Sequence, residues 1–181
     1  MRNYLIELWW VIALVLLAVI QISFISSSIL LHYGMQAVLV AAIMVAAYER
    51  PMRALFIASI AAYIMDLNSA LPFGIVLIAT VGGVVLFLFL RQNVFKNRAL
   101  HSLVIGMCAA TIAYHLLFFM GVIFSQWSGT VELSAFQSLE YIRFAGIQTL
   151  SHAVIGIILY YAIQVSIRLT PAVANRRKYV A

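Results

Sequence analysis

The chain has 181 residues, 66% of them hydrophobic and 9% charged, with a mean hydropathy of +1.10. Eleven basic and five acidic side chains cannot clothe a water-soluble fold of this size, and the apolar content excludes a disordered chain. The net charge of +6 comes from basic residues scattered in ones to threes between apolar runs, as in membrane loops and unlike a nucleic-acid-binding patch. These features predict an all-α membrane protein. At about 20 residues per span, six spans use roughly 120 positions and leave short connections.

The first span is expected over residues 8–31, with Trp9 and Trp10 at the interface and a polar end at Gln21, Ser23 and Ser26 to Ser28. Arg2 followed by an apolar core also fits a signal peptide, but Glu7 and the length of that core favour retention. A turn at His32-Tyr33-Gly34 leads to a short second span, 35–48, which must pack inside the bundle or borrow flanking residues. Glu49 to Arg53 reads as a hard stop around Pro51. The third span, 54–66, runs into Asp66-Leu67-Asn68-Ser69-Ala70-Leu71-Pro72-Phe73-Gly74, the densest turn chemistry in the chain. The fourth is expected over 73–90, a basic loop over 91–98, the fifth over 99–124 and the sixth over 144–167. The longest connection is 126–143, with Glu132 and Glu140 and room for an interfacial helix, and 168–181 forms a basic tail.

With the N-terminus inside, the segments expected on the cytoplasmic side hold ten of the eleven basic residues, leaving Arg143 alone outside. The positive-inside rule then orients the chain with both termini cytoplasmic.

Ala54, Ala58 and Ala62 form a small-residue stripe that lets helix backbones approach closely, either within the bundle or against a partner's helix. Gly82-Gly83, inside an apolar run, reads as packing. Placed by depth at 1.5 Å per residue, Gln21, His115, Gln148 and His152 all fall in the outer half of the bundle. They either bond one another and nearby serines or line a small-ligand site. A proton relay would need deeper carboxylates than Asp66, and two histidines without a third ligand make no metal site. Asp66 reads as an end cap with Pro72 at a helix start, or as a partner contact together with Asn68 and Gly74. Cys108 excludes an intrachain disulfide because it has no partner thiol. No nucleophile–base pair, phosphate loop or paired carboxylates are present, so neither catalysis nor a cofactor is expected.

Gln21-Ile22-Ser23, then Tyr48-Glu49-Arg50-Pro51, then an alanine-rich span entering Asp66-Leu67-Asn68-Ser69-Ala70-Leu71-Pro72-Phe73-Gly74, resembles the MreD family of bacterial rod shape-determining membrane proteins. The resemblance covers most of residues 8 to 120, and the Asp-Leu…Pro-Phe-Gly turn carries most of its weight. It implies a non-enzymatic subunit of the cell-elongation machinery in the cytoplasmic (inner) membrane, where peptidoglycan synthesis is organised. The implied partner is MreC, and through it MreB, RodA and a class B penicillin-binding protein. The six-span bundle is also similar in architecture to the substrate-binding S components of energy-coupling-factor vitamin transporters, whose ligand sits in the outer half. Against that reading, the first span lacks a small-xxx-small stripe. A channel or secondary transporter would call for inverted repeats, and none is evident.

Overall fold

The computed structural model describes residues 12, 16–21, 36–48, 51–69, 71–95, 100–127, 129 and 138–169. Among them every regular element is helical. Residues 16–20 are α-helical and Gln21 continues as a π turn. Then come α1 (Ala37–Tyr48), α2 (Pro51–Leu67), α3 (Ile75–Asn93), α4 (Leu100–Trp127) and α5 (Ser138–Leu169). The expected features at Ser23 to Ser28, 32–34, 49–50, 96–98, Glu132 and the basic tail from 170 lie outside the described residues.

Among the described residues, three helices are long and apolar enough to cross a membrane: α3, α4 and the Tyr141–Val165 part of α5. At 1.5 Å per residue they measure about 28 Å, 42 Å and 37 Å, against a hydrocarbon core of about 30 Å. Their outward faces are apolar, with Ile78, Phe89, Leu116, Met120, Leu150 and Ile158 all exposed. Exposed apolar surface on this scale suits lipid and not water.

α1 differs in kind. Its 12 residues rise only about 18 Å, and Ala37 to Val40 and Ala42 to Ala46 are all buried. A helix apolar around its whole circumference belongs in the middle of a bundle, so the shortness of this segment is met by enclosure. It packs on α2 and α3 and touches α4 and α5.

Close approach elsewhere depends on missing side chains. α3 and α4 run antiparallel and share the largest interface. A Cβ on Gly83 would lie 2.9 Å from the Ala110 carbonyl oxygen, and one on Gly106 would lie 2.9 Å from the Phe87 ring. The packing role expected for Gly82-Gly83 therefore has a concrete basis.

Several boundaries differ from the sequence expectation. Pro51 opens α2 as its first residue, where its missing N–H costs nothing, so Met52 and Arg53 are helical and not part of a stop. α3 continues through Arg91 to Asn93. The Arg91 guanidinium, expected in a loop, instead donates from Nη1 to the Ala46 carbonyl near the end of α1. α5 begins at Ser138, so Glu140 and Arg143 are helical and the 126–143 connection is much shorter than it reads.

The alanine stripe also needs correction as a partner surface. Ala54, Ala58 and Ala62 are each 0% exposed, because the bundle's own packing covers them. A partner helix could reach them only by opening the fold. The outward residues of α2 are Met52, Phe56, Tyr63 and Leu67.

Candidate functional site: a polar layer inside the bundle

The site begins with a helix that starts in the protein interior. The first turn of any α-helix leaves backbone N–H groups without intrahelical acceptors. At a membrane surface water takes them; inside an apolar bundle side chains must. In α1 the Gln21 Oε1 accepts the Val38 N–H at 3.0 Å. The Gln36 N–H, at the residue before α1, donates to His152 Nε2 at 3.1 Å. Gln21 lies in the N-terminal helical segment and His152 in α5, so opposite ends of the chain cap one helix start.

The bonding fixes the His152 tautomer. With Nε2 accepting from a backbone N–H, Nδ1 carries the proton and donates to Thr111 Oγ1 at 3.0 Å. The Thr111 hydroxyl in turn donates to the Met107 carbonyl at 2.9 Å. His152 and Thr111 are both 0% exposed, and this chain satisfies both ring nitrogens without charge.

A second arm runs through α4. The Gln36 side-chain amide donates to the Tyr114 hydroxyl. The neighbouring His115 ring meets Tyr114 edge-on, and its Nδ1 lies 3.1 Å from the Tyr141 hydroxyl. Tyr141 also stacks on Phe119, while Phe118 stacks on Tyr114 and Phe144 meets His115 edge-on. One wall of the layer is therefore aromatic. Gln148 is buried one turn before His152 on α5 and lies beside His115.

Thr80 completes the level. α1 and α3 run parallel: Leu39 packs against Gly83, and Ala46 is bonded by Arg91. Gln36 and Thr80 each lie one turn before that Leu39–Gly83 contact, which places them at the same height.

Among the described residues, Gln36 Oε1 and Thr80 Oγ1 are buried without a hydrogen-bond partner, whereas the His115 ring and the Gln148 amide face each other as a side-chain pair in loose geometry. Thr80 is 0% exposed, Gln148 2% and His115 6%. The remaining groups of the layer, Gln21, His152 and Thr111, are engaged.

The sequence-expected polar group of Gln21, His115, Gln148 and His152 is thus split by role. Gln21 and His152 cap α1; His115 and Gln148 face each other across α4 and α5. Gln36, Thr80, Thr111, Tyr114 and Tyr141 were not expected here. Gln36 carried a signal, as a polar residue heading an otherwise apolar segment. Thr80 and Thr111 carried none, since a helical threonine commonly bonds its own backbone.

Asp66 lies apart from this layer. It is 2% exposed, and its carboxylate accepts the Gly74 N–H and, at 2.9 Å from Oδ1, the Val76 N–H. It therefore caps α3 from the end of α2, and Gly74 supplies a left-handed φ of 103° at the junction. Asn68 Nδ2 bonds the Ile64 carbonyl, while Pro72 is half-buried at the start of the bend. Tyr63 and Phe73 meet edge-on across the turn and face outward. Among the described residues no three His, Cys, Asp or Glu side chains converge as a metal site. Compared with known proteins, the chain matches no family model, no curated protein and no solved structure.

Proposed function

We propose that the chain is a non-enzymatic, six-span subunit of the bacterial cytoplasmic membrane that scaffolds the cell-elongation machinery, as MreD-like proteins do. Both termini face the cytoplasm in this reading, because ten of eleven basic residues fall on that side. The partner is an MreC-like protein, linked to MreB, RodA and a class B penicillin-binding protein. The observation that carries the reading is the Asp66–Gly74 turn. The residues that carry the resemblance close into one unit, with Asp66 bonded across it. That unit presents Leu67 and Phe73 outward beside Tyr63.

With the alanine stripe enclosed, partner association falls to this outward edge. Affinity purification of the tagged protein in mild detergent is expected to recover the MreC-like protein or RodA. Tyr63→Ala with Phe73→Ala is expected to lower that recovery at least threefold while the subunit remains folded. Unchanged recovery removes this edge from the interface. A second reading, a substrate-binding S component, is favoured by the buried polar layer. Recovery of paired ATPases with a coupling subunit would replace the scaffold reading with it.

A further inference from the structure

The end of the bundle where α4 begins and α5 finishes holds a cavity of about 330 Å3, lined by Leu100, Tyr160, Tyr161, Gln164 and Val165. The antiparallel run of these two helices brings its walls together. Gly156 packs on Met107 and His152 meets Thr111, so the start of α4 lies level with the last turns of α5. Tyr160 packs against the core, and the Tyr161 ring meets it edge-on at 5.7 Å. Tyr161 and Val165 are more than half exposed, so the cavity opens to the surroundings of the bundle.

Depth identifies those surroundings. Tyr160 to Val165 close the apolar Tyr141–Val165 segment, the level at which a spanning helix meets lipid headgroups and tyrosines collect. Leading away from the mouth along α5, Ile158, Val154 and Leu150 are exposed at four-residue spacing, an apolar track on one helix face. The volume lies at the lower end of small-molecule sites, about 300–1,000 Å3. It suits the polar part of a lipid, with the hydrocarbon left outside.

Charge selects the kind of headgroup. At this end stand Arg53 in the first turn of α2, Arg91 bonded to the Ala46 carbonyl, and Arg168, one turn beyond Gln164 on α5. Among the described residues both acids, Asp66 and Glu140, lie at the opposite end. The tyrosine hydroxyls and the Gln164 amide are donors for phosphate or ester oxygens, and a basic end between spanning helices attracts anionic headgroups.

We propose that this cavity seats the phosphate and glycerol of one anionic phospholipid, with an acyl chain along Ile158, Val154 and Leu150. The site depends on the chain's spanning a membrane and not on which assembly it joins.

Native mass spectrometry of the full chain in mild detergent tests it, with phosphatidylglycerol or phosphatidylcholine of the same acyl chains added. One phosphatidylglycerol is expected to be retained at concentrations that leave phosphatidylcholine unbound. Tyr161→Ala with Gln164→Ala is expected to lower its occupancy about tenfold, the scale of one hydrogen bond to a charged group. Arg168→Gln is expected to lower it about fivefold and to leave phosphatidylcholine unchanged. Trp127→Ala, which removes an exposed aromatic ring at the opposite end, is expected to change neither. Should the double variant fail to fold, Val165→Trp at the mouth is expected to block the cavity with a similar loss. Equal retention of the two lipids, or an equal loss in Trp127→Ala, shows unspecific surface lipid and overturns the site. Full retention in the folded cavity variants overturns the location. A wild type that binds no lipid until residues 170–181 are removed assigns the cavity to the chain's own tail and overturns the proposal, as does a wild type that binds none at all.

Discussion

The backbone N–H of Gln36 donates to Nε2 of His152 across 116 residues of chain, at 3.1 Å. That bond joins the start of the most enclosed helix to the middle of the last one. It also makes His152 an acceptor on one side and a donor on the other, so the ring is a structural connector as well as a neighbour of the polar layer.

His152→Ala is accordingly expected to strand the Gln36 N–H. The Thr111 hydroxyl keeps its bond to the Met107 carbonyl, so the Gln36 N–H is the group left unsatisfied, at a cost of about 1–3 kcal/mol. Thermal unfolding in detergent checks it. His152→Gln, which keeps an acceptor on a flexible side chain, is expected to recover part of the difference.

Asp66→Ala removes the acceptor for two N–H groups at the start of α3. Loss of a helix cap costs about 0.5–2 kcal/mol, and burial places this one at the upper end. Limited proteolysis is expected to cut the 67–74 segment faster in the variant. Asp66→Asn, retaining one oxygen, is expected to fall between it and wild type.

The glycines give a graded series. Gly83→Ala sets a Cβ 2.9 Å from a backbone oxygen, which cannot move without shifting α4. Gly82→Ala meets the tip of the Leu117 side chain, which can rotate away, so a smaller loss is expected. Gly146→Ala meets nothing within 4 Å and sits inside α5. Alanine there is expected to raise stability by up to about 1 kcal/mol. Melting temperatures should rank Gly146→Ala above wild type, then Gly82→Ala, then Gly83→Ala.

Ala58→Leu tests the enclosure of the alanine stripe. Extra methylenes in a filled core cost about 1–3 kcal/mol, so the variant is expected to melt earlier even without partners. A normal melting curve combined with selective loss of partner recovery would return the stripe to the interface.

The sequence pattern was most legible where apolar runs meet strong punctuation. Pro51 and the Asp66–Gly74 turn delimit α2 closely, and the depth of His115, Gln148 and His152 could be counted. Direction around the helix axis could not. In segments as uniformly apolar as α1 there is no polar face to set azimuth, so the enclosure of Val38 and Ile43 on all sides has no periodic signature. Nor does spacing reveal that Ala58 packs inward, because a stripe suits an internal neighbour and a foreign one equally. The early start of α5 was hidden by Glu140 and Arg143, whose charges resemble loop residues. A helix longer than the hydrocarbon core readily carries such residues in its first turns. The polar layer was half visible: its histidines stand out among apolar neighbours, whereas Thr80 and Tyr114 blend into their helices.

The capping of α1 also bears on how the chain is made. Arg91 reaches the Ala46 carbonyl near one end of this helix, and Gln21 and His152 serve the other. During synthesis Gln21 precedes α1, but Arg91 follows it by 45 residues and His152 by more than twice that distance. A helix emerging from the ribosome therefore waits for its last hydrogen-bond acceptor until most of the protein has been translated. Truncation before His152 would remove a span and also strand a helix start far upstream, making completion of the C-terminal helix a checkpoint for the integrity of the whole bundle.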